Sequence, residues 1–251
     1  MSVADTSSNA AAPLRAAAPL DAVSPVIMFR AAGDPLARAK DSQRGLRVGF
    51  TSSLSRGPLR SLLRQAQSRP GGPRLSFLEG GRSDVLLAAR RGEVDVGFVC
   101  GPEDWTRLRS EELWRDRLVV ALAEDHPLAR ENAVRREDLQ RETFLAPGAS
   151  TDRHGQLALI ERAIGGAPCG FVCVEAERES VFHLVGLGFG IALASSSALG
   201  TVYPGVVYRP IASPWTSLPF YAVWRSSSDN PELGSFLTAA REAARHWAAP
   251  Q

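Results

Sequence analysis

Three short runs in this chain of 251 residues, Ser52-Ser53, Gly80-Gly81 and Cys100-Gly101, carry the residue types that bind small anions. Each follows an apolar stretch that reads as a strand. Small side chains, hydroxyls and exposed N–H groups at helix N-termini favour negative charge, because the unsatisfied amides and the helix dipole act together there. Serine and glycine also serve any tight turn, so the coincidence of three such runs at successive strand ends is what points to a ligand. Other chemistries are poorly supplied. Ser52 or Ser53 as a nucleophile would need a nearby base, and no Gly-x-Ser-x-Gly elbow surrounds either. Gly186-x-Gly188-x-Gly190 lacks the spacing of a dinucleotide loop and reads as close-packed backbone. Cys169 and Cys173 have no second Cys or His pair at ligand spacing, and His126, His154, His183 and His246 are scattered, so no metal site is expected. Neither a catalytic residue nor a cofactor is expected.

The elements that must position these runs alternate. Leu46-Arg47-Val48-Gly49-Phe50 reads as a strand, Pro58 suits the first turn of a helix, and Leu59, Leu62 and Leu63 recur at helical spacing until Pro70-Gly71-Gly72-Pro73 stops it. A strand at residues 75–78, a helix with Ser83 as N-cap, buried Val85, Leu86 and Ala89 and a stop at Gly92, and a strand at 94–99 follow. Such alternation implies right-handed crossovers and a largely parallel sheet, whose ligand crevice lies beyond the carboxyl ends of its strands. A long extended run at 111–122 can leave one lobe and enter another. Beyond it the pattern repeats: a short helix at 136–139, strands at 143–146, 171–174 and 190–193, helices at 153–164 and 179–187, then strands at 206–208 and 220–224. The last segment, 231–247, starts with Pro231 at its first turn and places Leu233, Phe236, Leu237 and Ala240 on one helical face.

Composition bounds the partners. With 29 basic and 27 acidic residues the net charge is +2, too small for the strong positive field that nonspecific nucleic-acid or membrane binding needs. Three cysteines make an odd, sparse set, unlike a secreted disulfide framework, and fit a reducing compartment. Pro13, Arg15, Pro19, Asp21 and Pro25 interrupt every apolar run an export signal would use. Residues 180–208 carry no Asp, Glu, Lys or Arg, but their continuous apolar part, 184–194, falls short of the ~18–20 residues of a spanning helix. It reads as a buried helix end followed by a buried strand, and a cytoplasmic protein is expected.

Residues 46–244 resemble the effector-binding domain of LysR-type transcriptional regulators. The resemblance is carried by Leu46-Arg47-Val48-Gly49-Phe50 with Ser52-Ser53, Arg91-Gly92-Glu93-Val94-Asp95-Val96, Leu118-Val119-Val120-Ala121-Leu122 before His126-Pro127-Leu128-Ala129, and Leu184-Val185-Gly186-Leu187-Gly188-Phe189-Gly190-Ile191-Ala192-Leu193. It implies an α/β fold of two Rossmann-like lobes joined by two crossover strands, as in type 2 periplasmic binding proteins. The first lobe would comprise 46–119 and 226–251 and the second 120–225, with crossings near 118–123 and 218–225. Residues 1–45 would be a poorly ordered Ala/Pro-rich segment holding the remnant of a linker helix at 35–44. The implied effector pocket falls on Ser52, Ser53, Gly80, Gly81, Cys100 and Gly101, joined from the second lobe by Ser150, Thr151 and His154. Arg82 or Arg153 can supply the charge for a small organic anion. Glu177 and Arg178 fall near a region where some relatives take a second ligand. Members of the family pair side by side, which implies a homo-oligomer through a helix of each lobe, near 59–67 and 178–187. No recognition helix is visible in 1–34, so DNA would be reached only through a missing or partner helix-turn-helix. A solute-binding protein of a transport system and an enzyme on the same fold are the alternatives.

Overall fold

A computed structural model describes residues 27–29, 45–51, 53–101, 107–148 and 153–247. Leu46, Val48 and Phe50 of strand β2 (Gly45–Phe50) are buried, and helix α1 (Pro58–Ser68) opens with Pro58 at its first turn and buries Leu59 and Leu62. Strand β3 (Arg74–Glu79), helix α2 (Arg82–Arg91) and strand β4 (Val96–Cys100) complete a parallel unit in which β2 pairs with both β3 and β4. Helix α2 stops where Gly92 turns left-handed at φ 71°, and its amide donates back to Ala89. A left-handed residue at that place favours glycine. The helix starts differently from the expectation. Its N-cap is Gly81, not Ser83, because the Asp84 carboxylate reaches back to accept from the Gly81 N–H at 3.0 Å.

Strand β5 (Arg109–Ala123) belongs to two sheets. Up to Arg117 it pairs antiparallel with β11 (Ser217–Trp224), which in turn pairs with β4. From Leu118 onward it pairs with β9 (Ala192–Ser195) on one edge and β10 (Val206–Ala212) on the other. The outward crossing therefore falls between Arg117 and Leu118, inside one continuous strand. The return falls between β10 and β11, ahead of the 218–225 stretch expected from the sequence, since residues 220–223 are paired with β4.

The second sheet is extended by β6 (Val134–Arg135) beside β10 and by the parallel pair β7 (Thr143–Pro147) and β8 (Gly170–Val174). Ile191 joins β7 to β9 by accepting from the Leu145 N–H and donating to the Thr143 carbonyl, at 2.7 and 2.9 Å. That use of Ile191 delays the regular strand to Ala192, two residues later than its pattern suggested. Helices α3 (Arg136–Leu139), α4 (Arg153–Ile164) and α5 (Arg178–Gly186) cover this sheet. Val181, Phe182 and Val185 of α5 pack on Val119, Ala121, Ala192 and Ala194, which accounts for the uncharged stretch at 180–208.

Helix α6 (Glu232–Arg245) returns to the first lobe with Leu233, Phe236, Leu237 and Ala240 buried, the face its spacing predicts. Full burial of each large apolar side chain there contributes about 1.5–3 kcal/mol. Within the segment expected to be poorly ordered, Ile27–Phe29 forms strand β1, parallel to β3. An unpaired outer edge on β3 is a template for any adjacent extended apolar run.

Candidate functional site

The carboxyl ends of β2, β3 and β4 meet at one edge of the first sheet, as the alternation of elements requires. The backbone amides there are already committed. The Gly80 N–H donates to the Phe50 carbonyl at 3.3 Å, Thr51 N–H to Phe98 at 3.1 Å, and Gly101 N–H to Pro219 at 2.9 Å. Gly81 N–H is held by Asp84, whose carboxylate also occupies the positive end of the α2 dipole. The amide cradle read from the sequence is thus closed to an anion at Gly80, Gly81 and Gly101.

Two guanidinium groups converge on that edge in its place. Arg82, the first residue of α2, donates from Nε to the Cys100 carbonyl at 2.8 Å. Arg178, the first residue of α5 in the other lobe, donates from Nη2 to the Thr51 carbonyl at 2.8 Å, across 127 positions of sequence. Both charges are felt at the Cys100 thiol. Burial pushes that thiol up, and Arg82, a hydrogen bond with Thr51 and Arg178 pull against it without winning. Cys100 is therefore a neutral, compact wall. A reactive thiolate would need a lowered value, so the residue contributes shape and a weak donor instead.

A second interlobe contact lies along the same loop. Ser53 Oγ accepts from the Ser55 N–H at 3.2 Å, and Ser55 Oγ donates to the Ser197 carbonyl at 2.5 Å. Ser197 follows β9 in the turn Ser196–Gly200. Its N–H and Oγ donate to Asp116 at 3.1 and 2.5 Å, and Ser196 Oγ donates to the same carboxylate. The loop after β2 is held by the second lobe at Thr51 and at Ser55, with Ser53 between them.

The expected site residues are placed unevenly. Cys100, Gly101, Gly80, Gly81, Arg82 and Ser53 sit on the first-lobe edge. Ser52, Ser150 and Thr151 lie outside the described residues, as does the side chain of Arg153. His154 is exposed on the first turn of α4. Glu177 is the exposed N-cap of α5, and Arg178 beside it reaches the Thr51 carbonyl at the first-lobe edge. Sequence reasoning missed Thr51 and Gln156. Gln156 Nε2 donates to the Pro147 carbonyl at 3.3 Å, at the end of β7, and its Oε1 is buried with no donor among the described residues. Gln156 follows Arg153, His154 and Gly155 at the polar start of α4, so no local pattern set it apart. Among the described residues no group of three metal-ligating side chains comes together.

Comparison with known proteins agrees with this geometry. The model of the LysR substrate binding domain matches residues 39–245. The Hca operon transcriptional activator HcaR of Escherichia coli K12 is 28% identical over 204 residues, which cover 79% of this chain and 68% of HcaR. The regulator XapR of the same organism is 26% identical over 216 residues, covering 83% of this chain and 72% of XapR. Among solved structures, the BenM effector-binding domain with its effector benzoate superposes with a TM-score of 0.69 at 24% identity, covering 83% of this chain and 96% of that one. The reduced regulatory domain of OxyR from Pseudomonas aeruginosa gives 0.63 at 20% identity, covering 80% and 96%. At such identities these structures establish the two-lobed fold alone.

Proposed function

The chain belongs to the LysR substrate-binding domain family, the effector-sensing part of a transcriptional regulator, and on that footing we propose that it reads a small organic anion held between its lobes. The observation that supports this is the approach of Arg178 from the second lobe to Thr51 and Cys100 of the first, where Arg82 also arrives. A guanidinium donating to a neutral carbonyl gains when a carboxylate takes that place, because charge-assisted hydrogen bonds are roughly twice as strong. An anion entering beside Cys100 draws Arg178, and the lobe that carries it, toward the ends of β2 and β4. It shifts the interlobe angle only to the extent that it binds one arrangement better than the other. The body of the ligand rests on the neutral Cys100 thiol, with Ser53 and Gln156 as polar contacts on either side.

No catalytic step is assigned. The Ser53 hydroxyl accepts from the Ser55 amide, and no histidine or carboxylate hydrogen-bonds to it among the described residues. We place the protein in the cytoplasm, where a DNA-bound regulator works; among the described residues no helix is long and apolar enough to cross a membrane. A homodimer through α1 and α5 fits the exposed Leu187 and Phe189 at the end of α5, 73% and 66% accessible. Light scattering at micromolar concentration should return twice the chain mass.

Thermal shift against a panel of small carboxylates tests the reading. A ligand at one hundred times its dissociation constant adds about 2.7 kcal/mol of stability. A stabilising carboxylate should lose most of its shift in Arg178→Gln, while uncharged analogues of it should give none. A panel without a stabilising member, or a shift that Arg178→Gln leaves intact, rejects the anion-binding cleft.

A further inference from the structure

The two sides of the cleft offer a ligand opposite hydrogen-bonding groups. Strands β7 and β8 run parallel and end side by side, Pro147 opposite Val174, and α5 then starts with Arg178, which crosses to the Thr51 carbonyl of the first lobe. The carboxyl ends of β7 and β8 therefore open toward the edge that Arg178 and Arg82 reach. At that edge the charged groups are donors, the two guanidinium groups. On the facing side the backbone is engaged with itself, since the Gly148 and Ala176 N–H groups both donate to the Val174 carbonyl, at 2.6 Å each.

One acceptor on that facing side is left over. Ile160, Ala163 and Ile164 of α4 are buried in the core they share with Phe144 of β7, and Gln156 precedes Ile160 by one helical turn. It therefore faces the same way, at the end of the helix beside the end of β7. Gln156 Nε2 donates to the Pro147 carbonyl at 3.3 Å, and that bond fixes which way round the amide stands. Its Oε1 is then the unfilled atom, buried and without a donor among the described residues. A buried acceptor left in that state keeps its desolvation uncompensated, and a donor on the ligand removes the penalty. A hydroxyl suits it better than an ammonium, because a neutral amide oxygen does not offset a full charge brought out of water.

On the reading of the cleft as an anion site, we propose that the effector is a hydroxycarboxylate. Its carboxylate is gripped by Arg178 and its hydroxyl donates to Gln156 Oε1. Arg178 then supplies affinity for the charge, and Gln156 selects among carboxylates of one shape. The member that lacks the hydroxyl leaves Oε1 buried and unfilled, which is how a polar site rejects such an analogue.

Thermal-shift titration of the whole chain with matched pairs tests the assignment: propionate against lactate, succinate against malate, and benzoate against 3- and 4-hydroxybenzoate, with alanine and aspartate as the amino analogues. At least one hydroxylated member should bind about tenfold tighter than its parent. That advantage should disappear in Gln156→Met and in Gln156→Leu, which keep the bulk and remove the amide, while Arg178→Gln should weaken both members of the pair. Equal binding within every pair, a hydroxyl advantage that survives both Gln156 variants, or an amino analogue that binds tighter than the hydroxylated one overturns the proposal. A parent carboxylate that stabilises through Arg178 while its hydroxylated partner gains nothing overturns the role of Gln156 and leaves the anion cleft standing; a panel in which nothing stabilises overturns both.

Discussion

Asp95 and Asp116 are both buried carboxylates, 7% and 1% exposed, and they are satisfied in opposite ways. Asp95 stands before β4 and meets a full positive charge. Arg47 of β2 donates to it from Nη2 at 2.6 Å, from Nε at 3.1 Å and from its backbone amide at 2.8 Å, while Nη1 caps the Gly92 carbonyl. Asp116 stands at the crossing of β5 and meets only neutral donors, namely two hydroxyls and two amides, most of them from the turn after β9. The first arrangement locks β2, β4 and the end of α2 into one rigid body. The second joins that body to the other lobe through groups that can exchange partners without moving a charge. The difference separates what must stay fixed in a two-lobed sensor from what must be free to turn.

Replacement of each carboxylate should expose that difference. Asp116→Ala leaves two buried hydroxyls and the Ser197 amide without their acceptor, while the Arg117 amide keeps Ser196 Oγ at 3.3 Å, and should cost about 3 kcal/mol. It should also loosen the joint, seen as a larger radius of gyration by small-angle scattering. Asp95→Ala should cost about 2 kcal/mol, the half-exposed Arg47 being able to recover water, and should leave the radius of gyration unchanged. A radius that grows for Asp95→Ala and not for Asp116→Ala reverses the assignment of rigid and mobile regions.

The smallest effect concerns the ion pair that ties α6 to β5. Arg241 grips Glu111 with two bonds of 2.8 Å and holds its carboxyl below the ordinary value by hydrogen bonding, against a smaller burial penalty. A carboxyl lowered by folding contributes stability above its unfolded value and loses it as pH falls through the folded one. Both partners remain partly exposed, 42% and 34%, so the contribution is under about 1 kcal/mol. Arg241→Ala should therefore lower the urea midpoint slightly at neutral pH and leave it unchanged in acid below the carboxyl range.

Much of the first lobe was legible because its elements carry strong local signals. Pro58 opens α1, Gly92 closes α2, and Leu233, Phe236, Leu237 and Ala240 repeat at helical spacing. Strand β1 was not legible, since Ile27-Met28-Phe29 is too short to show a period and becomes a strand only because the edge of β3 is there to pair with. The site was half legible. Glycines at strand ends mark where a crevice opens, but not whether their amides are free, and here the neighbouring strands and Asp84 consume them. Arg178 carried no local signal, because its importance comes from a residue 127 positions away. Asp116 was hidden in the charged run 111–117, which looks like a solvated face until Ser196 and Ser197 fold over it.

The most direct test is a crystal structure of the chain with the carboxylate that stabilises it most in the thermal-shift panel. The account predicts its charged group between the lobes, within about 2.7–2.9 Å of the Arg178 guanidinium, with the Thr51 carbonyl released and the ligand body against Cys100. A carboxylate bound with Arg178 still on Thr51, or bound outside the cleft altogether, contradicts it.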